Sequence, residues 1–113
     1  MGQHLYVDQG GPTSAGAITR ALDEVHNAYV GAEAGQSTKQ THVTEVGWRS
    51  DTLGMAVQAS NLQTAYRAFG TRVYVARGYW FVVQDAPGQS AYGLADENGV
   101  PKAAFEAYQS YAR

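Results

Sequence analysis

The chain contains no cysteine, which excludes a disulfide scaffold, a Cys-containing zinc site and a thiol nucleophile, and leaves the redox compartment unread. It has no run of basic residues either: eight Lys+Arg stand against ten Asp+Glu, for a net charge of -2. Nucleic acid, gripped first through its phosphates, finds little electrostatic purchase on such a surface. No apolar stretch approaches the roughly 20 residues of a membrane helix. The opening MGQHLYVDQGG lacks the basic head and apolar run of a signal peptide. Neither nucleic acid nor membrane is expected as a partner, and the location stays unassigned. No H-x-x-x-H spacing, no G-x-S-x-G and no G-x-G-x-x-G occurs, so no metal and no cofactor is expected.

What is present suits a small globular protein. Hydrophobic residues make up 44% and charged residues 16% of the 113 residues, too apolar for a disordered tail and long enough for one domain over residues 1–113. Three segments rich in β-branched and aromatic residues read as strands: 4–8 (HLYVD), 41–46 (THVTEV) and 78–84 (GYWFVVQ). Each runs into a loop carrying Gly or Pro. Each is followed by a stretch of helical periodicity. In the first, Ile18, Leu22, Val25 and Tyr29 share a face, with Thr13 or Ser14 as the cap. Met55, Ala59, Leu62, Tyr66 and Phe69 share the second, and Phe105, Tyr108 and Ala112 the third, with Pro101 suited to its first turn. Residues 31–40 (GAEAGQSTKQ) form the one long polar connector.

The fold class is therefore α/β, with three parallel strands each followed by a helix. Three helices can cover only one face of such a sheet, whereas parallel sheets are normally covered on both. The bare face and two open edges predict self-association or membership of something larger. Strand alternation places His4, Tyr6, Val43, Glu45, Trp80 and Val82 on that bare face. Glu45 then stands at the C-terminal end of the middle strand, the rim where α/β proteins bind ligands. A carboxylate among aromatic rings suits carbohydrate, whose hydroxyls it can hold and whose ring faces stack on Trp.

Plainer readings stand beside these. A Glu at a strand end is usually a solvated loop carboxylate, and His4 and His42 read equally as surface or hydrogen-bonded structural residues. Trp80 in an apolar strand suits a core, while Trp48, following Gly47 in a loop, is less expected as a packing residue. Asp8, Glu45 and Asp85 end the three strands and make a candidate carboxylate cluster, but Asp8 and Asp85 are also good turn residues.

The segment Thr44-Glu45-Val46-Gly47-Trp48, followed by a polar loop and a helix carrying Gln58-Ala59, resembles the seventh βα unit of retaining (β/α)8 glycoside hydrolases of the cellulase-like superfamily. Residues 79–87 (YWFVVQDAP) are similar to strand eight, residues 92–96 (YGLAD) and 99–105 (GVPKAAF) to the close of such barrels, and His4-Leu5-Tyr6 to strand six. The resemblance covers residues 3–113. It implies that Glu45 is the catalytic nucleophile and that His4, Tyr6, Trp48, Trp80 and Asp85 contact the sugar. It implies a partial (β/α)8 barrel, units six to eight. A barrel of roughly 250 residues has about 31 per unit, so three units need about 94. The family's general acid, a Glu in an Asn-Glu pair after strand four, has no counterpart, since Glu97-Asn98 is reversed.

Retaining hydrolysis needs two carboxyls about 5–5.5 Å apart, so the resemblance implies a glycosidase-like domain without hydrolysis of its own that keeps weak carbohydrate contact. Two alternatives remain open: a glycosidase whose site is assembled between chains, and a protein-interaction or structural module. A homo-oligomer, with a dimer favoured, is expected to complete the barrel slice by burying the bare sheet face.

Overall fold

Parallel neighbours cannot be joined by a tight turn, and each crossover is made by helix. In the computed structural model, which describes residues 1–33 and 38–112, β1 (Gly2–Leu5) leads to α1 (Ala15–Ala32), and β2 (Thr41–Val46) to α2 (Ser50–Leu53) and α3 (Met55–Gly70). β3 (Val75–Trp80) leads to α4 (Ala103–Tyr111). The strands form a single sheet in the order β1-β2-β3 with both pairs parallel. Within the connector 31–40, residues 34–37 lie outside the described residues.

The helices pack on one face of the sheet. Ile18 and Leu22 of α1 and Leu62, Ala65 and Phe69 of α3 enclose Leu5, Val43, Val46 and Trp80. α4 lies against α3, where the Tyr66 ring meets those of Tyr108 and Tyr111 at 5.7 Å each. Ser14 caps α1, its Oγ accepting from Ala17 N at 3.1 Å. Thr13 instead bonds sideways, its N–H to Asn61 Oδ1. Gly78 is required where β3 crosses α3, because a Cβ there would lie 2.5 Å from the Phe69 ring. The other sheet face carries no helix, and it exposes His4, Tyr6, Arg77, Tyr79 and Phe81. The radius of gyration is 14.7 Å, against about 13 Å for a fully compact chain of this length, as an open slab requires. No helix among the described residues is long and apolar enough to cross a membrane.

The structure departs from the sequence expectations in five places. β1 is 2–5 rather than 4–8, because the ladder with β2 begins at Gly2↔His42 and ends at Leu5↔Val46. β3 is 75–80 rather than 78–84. Beyond Trp80 the chain pairs with its own loop: Val83 O accepts from Leu94 N and Ala95 N, both at 2.9 Å. On α3, Met55 is 53% exposed, and the buried face runs through Gln58 and Asn61 to Phe69. The polar loop after Trp48 contains the short α2, and Gly54, at φ 87, separates it from α3. Pro101 precedes rather than opens α4, whose N-cap is Lys102.

The largest correction concerns which side chains share the bare face. Gln3 pairs with Val43 and His4 with Glu45, so Thr44 is an extra residue with no partner in β1. This bulge flips the alternation. Val43 and Val46 both turn into the helical core, fully buried, while Glu45 turns to the side of His4 and Tyr6. Trp80, aligned with Val46, is also in the core. Val82 lies past the end of β3, half-buried in the loop. Of the six residues assigned to the bare face, His4, Tyr6 and Glu45 are there and Val43, Trp80 and Val82 are not.

Candidate functional site

Three rim loops meet at the C-terminal ends of the strands, and the bulge aims Glu45 into the space between them. Glu45 Oε2 accepts a hydrogen bond from Tyr6 Oη at 2.8 Å, and His4 Nδ1 stands 3.4 Å from the same oxygen. Among the described residues no hydrogen bond engages Oε1, which leaves that oxygen free for a ligand. Partial burial, and then the bond to and charge of Glu45, push the Tyr6 hydroxyl well above the ordinary phenol range. Tyr6 therefore keeps its proton and is the donor in the bond to Glu45.

An aromatic group walls the carboxylate. Tyr6, Phe81 and Tyr92 pack mutually edge-to-face, with centroids 6.3, 6.1 and 5.4 Å apart. Such T-shaped contacts place the positive edge of one ring on the negative face of another. Gly47 admits the group: a Cβ there would lie 3.0 Å from Tyr92 Cδ1 and 3.4 Å from Phe81 Cβ. Gln9 ties the loops together, donating to Gly47 O at 2.9 Å and accepting from Tyr92 Oη at 3.2 Å.

The two tryptophans belong to the scaffold. Trp48 is 0% exposed, and its Nε1 donates to Val7 O at 2.7 Å. Trp80 Nε1 donates to Tyr92 O at 2.7 Å, with its ring in the core. Neither can offer a face to a sugar as the sequence suggested; they fix the backbone beside Glu45 from below. Asp85 is likewise turned inward. Its Oδ1 accepts from Gly93 N at 2.6 Å, and its Oδ2 pairs with the buried Lys102 ammonium, which also donates to Ser50 Oγ. Asp8, at φ 47, bonds Thr13 Oγ1 at the turn after β1. The three strand-end carboxylates therefore do not act as one cluster: only Glu45 is presented to the bare face. His42 pairs in register with Arg77, lower on the strands. Among the described residues no three potential metal ligands gather.

Sequence reasoning missed the residues that hold the rim in place. Gln58 and Asn61, both buried, stand one turn apart on α3. The Gln58 amide donates to Trp48 O at 2.9 Å and Gly93 O at 3.2 Å, and Asn61 bridges Gly11 O and Thr13 N. One helix thereby ties down the loops that follow all three strands. Their polarity hid them from an apolar-periodicity reading. The signal was a pair of amides on the face that should have been apolar, since buried amides persist only when bonded.

No protein-family model matches the chain, and no curated protein matches it. Among solved structures it is similar to a family 39 glycoside hydrolase from the gut symbiont Bacteroides cellulosilyticus WH2, with 25% sequence identity and a TM-score of 0.57. The match covers 65% of this chain and 16% of that one, so the chain spans about a sixth of its length. The fold is glycoside hydrolase-like, and three parallel strands alternating with helices are consistent with a slice of a barrel.

Proposed function

We propose that the chain is a glycosidase-like barrel segment, corresponding to the last three βα units, in which Glu45 occupies the nucleophile position. The observation that carries this reading is the Tyr6–Glu45 hydrogen bond at 2.8 Å, made at the rim where such folds bind ligands. A phenol holding one carboxylate oxygen orients the other toward a substrate. Sugar contact falls to Tyr6, Phe81 and Tyr92, in place of Trp48 and Trp80. A retaining mechanism also requires an acid about 5–5.5 Å from the nucleophile, and Asp8 and Asp85 are engaged elsewhere. Without that acid the rate falls by about 10²–10⁴, so the segment on its own holds carbohydrate weakly and does not hydrolyse it.

A second reading, a glycosidase completed between chains, is favoured by the open sheet. A groove of about 630 Å³, lined by Tyr66, Phe69, Tyr79, Tyr108 and Tyr111, follows the free edge of β3. A second copy is the proposed occupant of the open side, with Tyr6, Tyr79 and Phe81 as its apolar contacts. One experiment separates the readings: turnover of an aryl-glycoside panel by the native chain and by Glu45→Gln, over a range of protein concentrations, with size-exclusion mass measured alongside. The first reading expects no turnover above that of Glu45→Gln. Activity that disappears in Glu45→Gln and rises steeply with concentration replaces it with the second. No turnover, with no sugar-dependent change in tryptophan fluorescence, leaves an interaction module.

A further inference from the structure

β3 is the longer of the two outer strands, six residues against the four of β1, and it continues into the uncharged run 79–83 (YWFVV). Such a run on an open edge is a template for the backbone of another strand. Pairing of β3 in one copy with β1 of the next would not close, and would extend as a filament. We infer that the Tyr66 hydroxyl stands in for the missing neighbour and closes the β3 edge to strand addition.

The direction of the backbone groups shows which ones an added strand would need. Phe81 N donates to Val46 O at 2.8 Å, so Phe81 and Tyr79 turn their amides toward β2. Gly78 and Trp80, alternating with them, turn theirs outward. In a parallel ladder one residue of an added strand would donate its N–H to Gly78 O and accept the Trp80 N–H at its own carbonyl. A single atom of α3 does both. Tyr66 Oη donates to Gly78 O at 3.1 Å and accepts from the Trp80 N–H. Burial, and then the Tyr108 hydroxyl, push the Tyr66 phenol well above its ordinary range, while the bond from Trp80 pulls it down. The proton that Gly78 O requires therefore stays in place.

Packing keeps the phenol at the edge. The Tyr66 ring meets Phe69 at 5.2 Å and Tyr108 and Tyr111 at 5.7 Å each, and Arg67 Nε holds the Tyr111 hydroxyl at 3.0 Å. The absence of a side chain at Gly78, where a Cβ would lie 2.5 Å from the Phe69 ring, lets α3 approach closely enough for a phenol to reach the strand. A phenylalanine at position 66 would fill the same space and release both backbone groups. Backbone donors and acceptors left unpaired at an apolar edge are satisfied by the next strand that arrives.

Amide hydrogen exchange by NMR tests this on the full chain and on Tyr66→Phe, each at low and high protein concentration, with sedimentation velocity alongside. In the native chain at low concentration the Trp80 backbone amide, although it faces away from β2, is expected to be protected as the Phe81 amide is. In Tyr66→Phe it is expected to exchange about fivefold faster or more, with Phe81, bonded to Val46 O, unchanged. As concentration rises the variant is expected to associate beyond the native chain, and Trp80 protection to return with the added mass. A native Trp80 amide that exchanges like an exposed loop amide overturns the inference without reference to the variant. If the variant loosens as a whole, with Phe81 speeded equally, that native comparison decides alone. An unchanged Trp80 rate in a folded variant overturns the cap. Faster exchange with no association beyond the native chain, or association that leaves Trp80 unprotected, overturns the closing of the edge.

Discussion

Replacing Lys102 with Met isolates the buried ion pair that holds the β3–α4 loop, and with it the Tyr92 wall of the site. The Lys102 side chain is 2% exposed and that of Asp85 12%. Removing one member of a buried pair costs about 3–5 kcal/mol, because the remaining charge is left without compensation. Asp85 keeps its 2.6 Å bond from Gly93 N in the variant, so the loss should fall at the low end, about 3 kcal/mol. For a chain near this length each kcal/mol moves Tm by about 4–8 °C, so Lys102→Met should melt about 12 °C or more below wild type. The double variant Asp85→Asn/Lys102→Met removes both charges and retains an acceptor for Gly93 N; it should recover to within about 1 kcal/mol of wild type. Urea unfolding followed by tryptophan fluorescence reads this directly, since Trp80 is bonded into the same loop. A single variant that unfolds at the wild-type midpoint, or a double variant no more stable than the single, would refute the reasoning.

Three further perturbations probe the frame of the fold. Gly93→Ala would set a Cβ 2.5 Å from Asp85 N and 2.6 Å from Ala95 O; both are backbone and cannot step aside, so the loss should exceed about 2 kcal/mol by urea unfolding. Gly16→Ala in the first turn of α1, with nothing within 4 Å, should instead gain about 0.5–1 kcal/mol. Acid titration of stability should expose the tie between α1 and the loop that joins α3 to β3. The two guanidinium bonds from Arg72 to Asp23, at 2.8 Å each, and the Tyr74 hydroxyl hold the Asp23 carboxyl down to about 2 from 3.8. Because the folded value is the lower one, this contribution is complete above pH ~4 and is lost as pH falls toward ~2. Asp23 is 36% exposed on its side chain, so solvent screening reduces the contribution to about 1 kcal/mol. Arg72→Leu should flatten the stability profile across that window, and an unchanged slope would rule the tie out.

Much of the fold was legible in the order of residue types. The apolar spacing of Ile18, Leu22 and Tyr29 fixes the buried face of α1, and all three are in the core. The β2 boundaries agree at both ends, because Thr41–Val46 is the central strand and its ladder is satisfied on both sides. The edge strands were displaced, since each has a partner on one side only and its length is set by where that partner stops. On α3 periodicity found Leu62 and Phe69, with Ala59 and Tyr66 packed beside them, but it included the exposed Met55 and missed two buried residues. There Gln58 and Asn61 occupy core positions as loop anchors, and a rule that counts apolar residues cannot find polar ones that are buried for their hydrogen bonds.

The candidate site divides along the same line. The residue types around Glu45 could be named from the chain alone: a carboxylate at the end of the middle strand, with His4 and Tyr6 at the end of its neighbour. Alternation also put all three on the bare face, but only by putting Val43 there with them, and Val43 is fully buried in the core. Strict alternation puts Glu45 on the same side as Val43, which is the side the helices cover. The single unpaired residue, Thr44, reverses that parity and turns the carboxylate outward. Trp48 and Trp80 went the other way, because their indole N–H groups found backbone acceptors in the interior while Phe81 and Tyr92, with no such demand or a longer reach, took the surface.

Sequence by itself determined the alternation of strand and helix and the parallel sheet that follows from it, since side-chain spacing along the chain dictates which local hydrogen-bond pattern can bury an apolar face. Only the tertiary structure decided which face each rim residue occupies. A bulge exists only between paired strands, and no strand carries in its own residues the register its neighbour will impose.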